Sequence, residues 1–401
     1  MLTFQDLIDA CTPGGASVLT SVTELEAAAG PHASVAPAKF VDRSNSVFAF
    51  ETRFVDGEPK KVALLDSKQS QLNRCEDAFM QDVRAGHPLA TKVPRIEVEY
   101  KGGPVLSDME LPHRFADGHI RAGKIDGEPA TAHEKYRAVR NCTAANYQPL
   151  LNTAPAAALL GAWDSSRPHG QVRLRSALVG EIIGVLADQE ASPEDQQSKR
   201  GGARVDSIAM SVRLEPSVLQ KIVDDQKSEL SPGFVEKISE EIKKAKKDTK
   251  ISASGLGLGG IPPQLEALGG VSCSKIIRSW VLSFATLRQL RFGQNLQGDI
   301  AGRALLAALA LSLMARAERE LYLRANCDLV ETSAPKVMLD QRFGEKRSLE
   351  PITVEAADAL LEHAIEYARE LGVADWNGQV LEVVGNPAIL SGADNSTENG
   401  Q

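Results

Sequence analysis

Apolar and polar residues along this chain fall into short alternating runs and longer mixed stretches, the pattern of strands interleaved with helices. The stretch from Leu150 to Gln189 organises the reading. It holds an apolar run, Ala156 to Leu160, then Gly161 and a Trp163-Asp164-Ser165 corner. A loop through Arg167, Pro168, His169 and Gly170 leads into Val172-Arg173-Leu174-Arg175. The apolar run, bounded by turn residues, predicts a buried strand. The alternating segment puts Val172 and Leu174 on one face and Arg173 and Arg175 on the other. Guanidinium groups at a sheet edge can meet phosphate, and the same residues equally suit a core strand beside solvated surface arginines.

The rest of the chain reads in the same way. A short helix and a Pro-Gly-Gly break open residues 3–29. Two strand-like runs, Val47 to Phe54 and Lys61 to Asp66, flank Asp56-Gly57 and predict a hairpin. The second run leads into a helix over Asp66 to Met80, where Asp66-Ser67 can cap the first turn. Ser67, Lys68, Gln69, Gln71, Asn73 and Arg74 crowd its start. A helix N-terminus after a strand offers free N–H groups to an anion, and a well-capped amphipathic surface helix is the alternative. Arg95 to Tyr100 reads as a strand. His113 and Arg114 open a short helix with Phe115 and Ile120 facing inward. Residues 191–270 read as an exposed excursion: Lys199, Arg200 and Arg204 around Gly201-Gly202, a charged helical stretch over 214–250, and a mobile glycine loop over 251–270. After a strand-like start at Ile276, Arg288 and Arg291 precede Phe292. A long helix is expected over about Asp299 to Ala325, with Arg316, Arg319 and Arg324 complementing its dipole. A helix at 353–371, a strand at 379–384 and a disordered end, 391–401, close the chain.

Composition narrows the class. The chain has 401 residues, 43% hydrophobic and 24% charged, the balance of a globular fold. Aromatics at 5% argue against a surface that stacks many bases. The net charge of −8 argues at first sight against a polyanion partner. Residues 344–401, however, carry 11 acidic and 3 basic residues, which leaves 42 of each sign in residues 1–343. The body is neutral, and local basic patches on it are compatible with nucleic acid. Five scattered cysteines without a C-x-x-C pair suit a reducing compartment and offer no disulfide framework. The N-terminus lacks a basic, apolar leader, and the longest apolar run, Ala304 to Ala315, spans about twelve residues, short for a bilayer. A cytoplasmic protein without a membrane partner is expected.

Catalytic signatures are missing. No GxSxG, HExxH, GxGxxG or paired-cysteine motif appears, and the Gly-rich stretch before Pro262-Pro263 lacks the Gly-Lys-Ser/Thr of a P-loop. His113, His119 and His133 do not have metal-ligand spacing, so no metal or cofactor is expected. Interleaved strands and helices over one body indicate an α+β class.

Several stretches, in this order, resemble one family: Asp66-Ser67…Ser70-Gln71…Asn73-Arg74; His113-Arg114-Phe115-Ala116-Asp117; Ala154-Pro155…Gly161-Ala162-Trp163-Asp164-Ser165; Arg173…Arg175-Ser176; Leu287-Arg288…Leu290-Arg291-Phe292; and Arg324…Cys327-Asp328-Leu329-Val330. Together they resemble the backbone subunit of the type I-U (I-G) CRISPR Cascade effector complex, within the RAMP superfamily. The resemblance covers about residues 15–335. It implies an RRM-like (ferredoxin-like) palm with inserted finger and thumb elements, in a body spanning 1–343 with its excursion at about 191–270. An acidic helical extension over 344–401 lies outside it. It further implies a non-catalytic subunit that binds CRISPR RNA, stacks with further copies of itself and other Cascade subunits, and presents the guide to target DNA. The protein then reads backbone and shape while base pairing reads sequence. RNA-binding candidates are Ser67, Lys68, Gln69, Gln71, Asn73, Arg74, His113, Arg114, Arg167, Arg173, Arg175, Lys199, Arg200 and Arg204. Trp163 is expected to hold its corner rather than stack a base. The competing readings are a metal-dependent ribonuclease of the same fold using Asp66 or Asp164, and a metabolic enzyme with an unrecognised site.

Overall fold

Val18–Ala27 alternates inward and outward positions over ten residues, and Leu19, Ser21, Thr23, Leu25 and Ala27 point into the core. A half-buried strand needs this period of two. The computed structural model describes residues 1–43, 45–246, 249–293 and 295–393, at 45, 200, 202, 203, 262–267 and 393 by their backbone only. Its chain divides into two compact units: 1–197 with 270–385, and 198–269 with 386–401. The class is α+β, built mainly on antiparallel sheets.

In the first unit the major strands are β1 (Val18–Ala27), β2 (Phe50–Val55), β3 (Glu58–Asp66), β4 (Leu178–Leu186), β5 (Cys273–Ser283), β6 (Lys336–Asp340) and β7 (Lys346–Leu349). They form one sheet in the order β7-β6-β1-β5-β4-β3-β2, every neighbour antiparallel, with the short strand Leu329–Glu331 also paired to β1. β2 and β3 are the expected hairpin. Asp56 and Gly57, at φ 53° and 84°, make the two-residue turn whose twist matches the flanking strands.

The helices that pack on or beside this sheet include α1 (Phe4–Cys11), α2 (Lys68–Arg84), α3 (Leu296–Glu320) and α4 (Val354–Glu370). Ser67 caps α2, its Oγ accepting from the Ser70 N–H at 3.2 Å, so Ser67 rather than Asp66 serves as the cap. α2 packs on β4, and α3 packs against α1, α2 and α4. α3 is 25 residues long and starts and stops earlier than the expected 299–325, because Asn295 caps it and Leu321 leaves it in the left-handed region at φ 42°. By length and composition α3 could cross a bilayer, although the apolar run within it is short; 94% of its most apolar window is buried inside the fold, as in a core helix.

Pro155–Leu160 is a helix, not the expected strand. All six residues are buried, so no polar face marks a period, and a Pro at the first position starts the helix. Residues 344–385 do not form a separate extension: β7 extends the main sheet, α4 packs on α3, and Val380–Val384 pairs in parallel with Arg95–Glu99. That pairing centres a five-stranded second sheet.

The second unit has its own small core of Leu219, Val223, Ile238 and Ala253, under helices Pro216–Asp225 and Pro232–Lys244. Its residues 261–268, expected as mobile loop, form a strand paired antiparallel with Lys199–Arg204. The expected disordered end falls largely outside the described residues, which stop at 393 after a short helix, Pro387–Ala393.

One buried acid has a measurable consequence. Asp108 is fully buried; its Oδ1 accepts from the Ile96 N–H at 3.0 Å and the Ser107 hydroxyl at 3.3 Å, and its Oδ2 has no partner. Burial, opposed by those two hydrogen bonds, pushes its carboxyl up to about 7. Between its ordinary value of 3.8 and about 7 the unfolded chain gives up this proton while the folded chain keeps it, so stability falls as pH rises through that window. Asp108→Asn is therefore expected to gain on the wild type from pH 4 upward, levelling off near pH 7 at roughly 4 kcal/mol or less. Urea unfolding at both ends of the window checks this; a difference independent of pH contradicts it.

Candidate nucleic-acid interface

Three stretches singled out in the sequence meet through one side chain. Arg114, at φ 47°, donates from Nε and Nη2 to the two oxygens of Glu76 on α2, at 2.7 and 2.8 Å. Its Nη1 donates to the Gly161 carbonyl at 3.0 Å. Gly161 has φ 89°, and a Cβ there would sit 2.9 Å from the Ser176 backbone nitrogen, so only glycine allows the chain to pass so close. Glu76 is buried, which pushes its carboxyl up, and the Arg114 guanidinium works against that shift. Arg114 is thus a tie between α2, the 113–117 turn and the 161 corner, with its donors spent inside the fold.

The 162–175 segment is a small hairpin in which Ala162–Trp163 pairs with Arg173–Leu174. Asp164 fixes its corner. Its carboxylate accepts from Arg140 Nε at 2.8 Å and from the Ser166 hydroxyl at 2.6 Å, and although burial opposes it, these bonds hold the carboxyl below its ordinary value. Trp163 does not hold the corner as expected: it is 53% exposed, its Nε1 donates to Gln171 at 3.1 Å, and Arg173 lies over its ring at 5.2 Å. A ring face with a guanidinium beside it is a surface that accepts a phosphate or a base. Arg175 is exposed on the same strand side as Arg173. Arg167 donates to the Arg140 carbonyl, which anchors the loop.

The start of α2 borders a groove of about 600 Å³ that also touches Arg114 and Ser176. Lys68, Gln69 and Asn73 line it with exposed side chains, beside the acids Glu76, Asp77 and Glu110. Lys68 stands 3.9 Å from Glu181, a loose pair. Gln71 is buried and donates to Asp66 at 2.6 Å, and Arg74 lies over the Tyr322 ring at 5.8 Å. His113 is exposed, its backbone N–H held by Asp117. Lys199 and Arg204 are exposed in the second unit, and the side chain of Arg200 lies outside those described. The structure thus leaves Lys68, Gln69, Asn73, His113, Arg173, Arg175, Lys199 and Arg204 turned outward, and it uses Ser67, Gln71 and Arg114 internally.

The two carboxylates that could serve catalysis are also engaged. Asp66 is fully buried, accepts from the Ser70 hydroxyl at 2.8 Å and from Gln71, and pairs with Arg324. Asp164 is buried against Arg140. Among the described residues no group of three or more His, Cys, Asp or Glu is placed to hold a metal. The partners Glu76, Arg140 and Arg324 are invisible to sequence reading because 38, 24 and 258 positions separate them from the residues they hold.

Residues 19–189, which contain the α2 start, the 113–117 turn and the 162–175 hairpin, match the model of a family described as CRISPR-associated protein GSU0053. No curated protein matches the sequence. Among solved structures, Csc2 of Thermofilum pendens aligns over 99% of this chain and 80% of its own at 9% identity, with a TM-score of 0.27, too loose a likeness to bear on fold or function. Over residues 19–189, less than half of its length, the chain is similar to this CRISPR-associated family.

Proposed function

We propose that the chain is a non-catalytic backbone subunit of a Cascade complex, which binds CRISPR RNA along its sugar–phosphate backbone and stacks with further copies along the guide. The observation that carries this reading is the family match, which spans the hairpin where Arg173, Arg175 and Trp163 are displayed to solvent. Exposed guanidinium, ammonium and amide groups suit contacts to phosphate and sugar, which position a strand but carry no sequence information. Specificity then rests with pairing between guide and target DNA.

The strand order supports an RRM-like palm. β6-β1-β5-β4 is the arrangement of a ferredoxin-like sheet read as fourth, first, third, second strand, with α2 falling between β1 and β4 in sequence and α3 between β5 and β6. On this reading the segment between β4 and β5, which holds residues 198–269, is an inserted element. Asp66 and Asp164 then serve the fold through Arg324 and Arg140, and no cleavage step is assigned to either.

The test compares the wild type with Arg173→Ala/Arg175→Ala in binding a CRISPR repeat–spacer RNA across salt. The double variant is expected to bind every spacer sequence more weakly, with the salt slope shallower by about 0.7 for each phosphate it no longer neutralises. An unchanged slope would assign both arginines to the fold alone.

A further inference from the structure

A second groove, of about 620 Å³, lies between Pro13, Gly14 and Ala145 and the first turn of α3. It is lined by Arg288, Arg291 and Arg303, none of which the RNA reading uses, and by a single acid, Asp299. Arg303 is 4% exposed; its Nε donates to the Leu290 carbonyl at 2.8 Å, and its Nη2 stands 3.6 Å from Asp299, beyond hydrogen-bond reach. Asp299 itself is committed to the Phe292 N–H at 2.8 Å. Arg288 is anchored by Nη1, to the carbonyls of Ala10 and Ala16 at 2.5 and 2.7 Å. Arg291 is exposed.

These cations act on one another. Burial lowers the Arg303 guanidinium first, and although Asp299 opposes this, Arg291 and Arg288 lower it further. Burial likewise lowers Arg288, with Arg342 adding to the effect. A buried cation is costly unless an opposite charge meets it, and one already committed carboxylate does not balance three guanidiniums. The capped N-terminus of the 25-residue α3 adds positive potential at the same place, where Leu296 lines the groove. The groove beside α2 contrasts with this one, since acids outnumber bases there.

We infer that this arginine groove binds a phosphate group, held by the free edges of Arg288, Arg291 and Arg303 beside the start of α3. Planar guanidinium forks match the paired oxygens of a phosphate, and three of them around one cleft can share its charge. Its three arginines lie outside residues 19–189 and are not among the RNA-binding residues named above, so the inference goes beyond that reading. Its phosphate belongs either to a nucleic-acid strand or to a free phosphate-bearing molecule.

The test measures the thermal midpoint of the full chain in sodium phosphate against sodium chloride of equal ionic strength, for the wild type and Arg291→Glu. Arg291 is exposed and its side chain makes no hydrogen bond among the described residues, so its substitution spares the contacts that hold the groove. Phosphate at ten times its dissociation constant is expected to raise the wild-type midpoint by a few degrees, and Arg291→Glu to remove most of that rise. If the charge reversal lowers the midpoint in chloride, Arg291→Gln replaces it. A single-stranded RNA titration in parallel separates the sources. Weaker RNA binding by the variant assigns the phosphate to a strand; unchanged RNA binding with an abolished phosphate response assigns it to a free molecule. A wild-type midpoint equal in the two salts, or a phosphate response undiminished in the variant, overturns the inference.

Discussion

Arg316→Ala is expected to destabilise the protein by about 3–5 kcal/mol, because it strips the cation from a buried ionic centre. Arg316 is fully buried on α3. Its Nε donates to Asp82 on α2 at 2.8 Å, and its Nη1 and Nη2 donate to the two oxygens of Asp358 on α4 at 2.7 and 2.8 Å. Its Nη1 also reaches the Ser312 hydroxyl at 2.6 Å, and the Phe79 ring lies 5.2 Å beneath. One side chain thus joins three helices. Removing it strands Asp358 with Ser312 and a distant His87 at 3.7 Å, while Asp82 keeps Arg319 at 3.1 Å. Although burial opposes it, Arg319 and Arg316 hold the Asp82 carboxyl below its ordinary 3.8. Its contribution is therefore present above that pH and lost as the pH falls through the lower folded value. Equilibrium urea unfolding at neutral pH checks the prediction. A loss under about 1 kcal/mol would mean that water and neighbouring groups compensate the pair.

Arg114→Ala should cost a comparable amount, about 3–5 kcal/mol, for the same reason. Glu76 is buried, and both its oxygens depend on Arg114, as does the Gly161 carbonyl. Burial already pushes Glu76 toward the neutral form, so Glu76→Gln in the Arg114→Ala background is expected to recover part of the loss. The pair of measurements also separates the two roles that the sequence leaves open for Arg114. An RNA ligand on the surface would leave stability within about 0.5 kcal/mol and lower RNA affinity alone. A tie within the fold lowers stability first and is rescued by neutralising its partner.

The elements legible in the sequence are those with a local cause. Asp56-Gly57 specifies its turn by conformations that few other pairs adopt, and Ser67 starts α2 by its own hydroxyl. Alternation in 172–175 marks the outward arginines, and the structure keeps both exposed. Pro155–Leu160 reads as a strand and folds as a helix because a segment buried on every side shows no period. The arginines near the end of α3 suit dipole partners by position alone. Arg316 is instead a core cation, and Arg324 lies beyond the helix and pairs with Asp66 on β3. No local signal marks such pairs, since 234 residues separate Arg316 from Asp82. The acidity after residue 343 suggests a separate tail, yet its apolar residues at helical and strand spacing place α4 and Val380–Val384 in the first unit.

The same distinction applies to the candidate interface. Residue type shows which side chains could meet RNA, but only the fold shows which have donors left over. Gln71 and Arg114 carry suitable groups and spend them on Asp66 and Glu76, while Arg173 and Arg175 keep theirs. The arginine groove at the start of α3 shows the converse: Arg288, Arg291 and Arg303 are spread over 16 positions and converge only when the chain between them turns.

The central claim is RNA binding through backbone contacts, and salt-dependent binding of a CRISPR repeat–spacer RNA to the wild-type chain tests it most directly. Affinity is expected to fall linearly with the logarithm of salt concentration, similarly for unrelated spacers, and with a reduced slope in Arg173→Ala/Arg175→Ala. Absence of RNA binding even at low salt would contradict it.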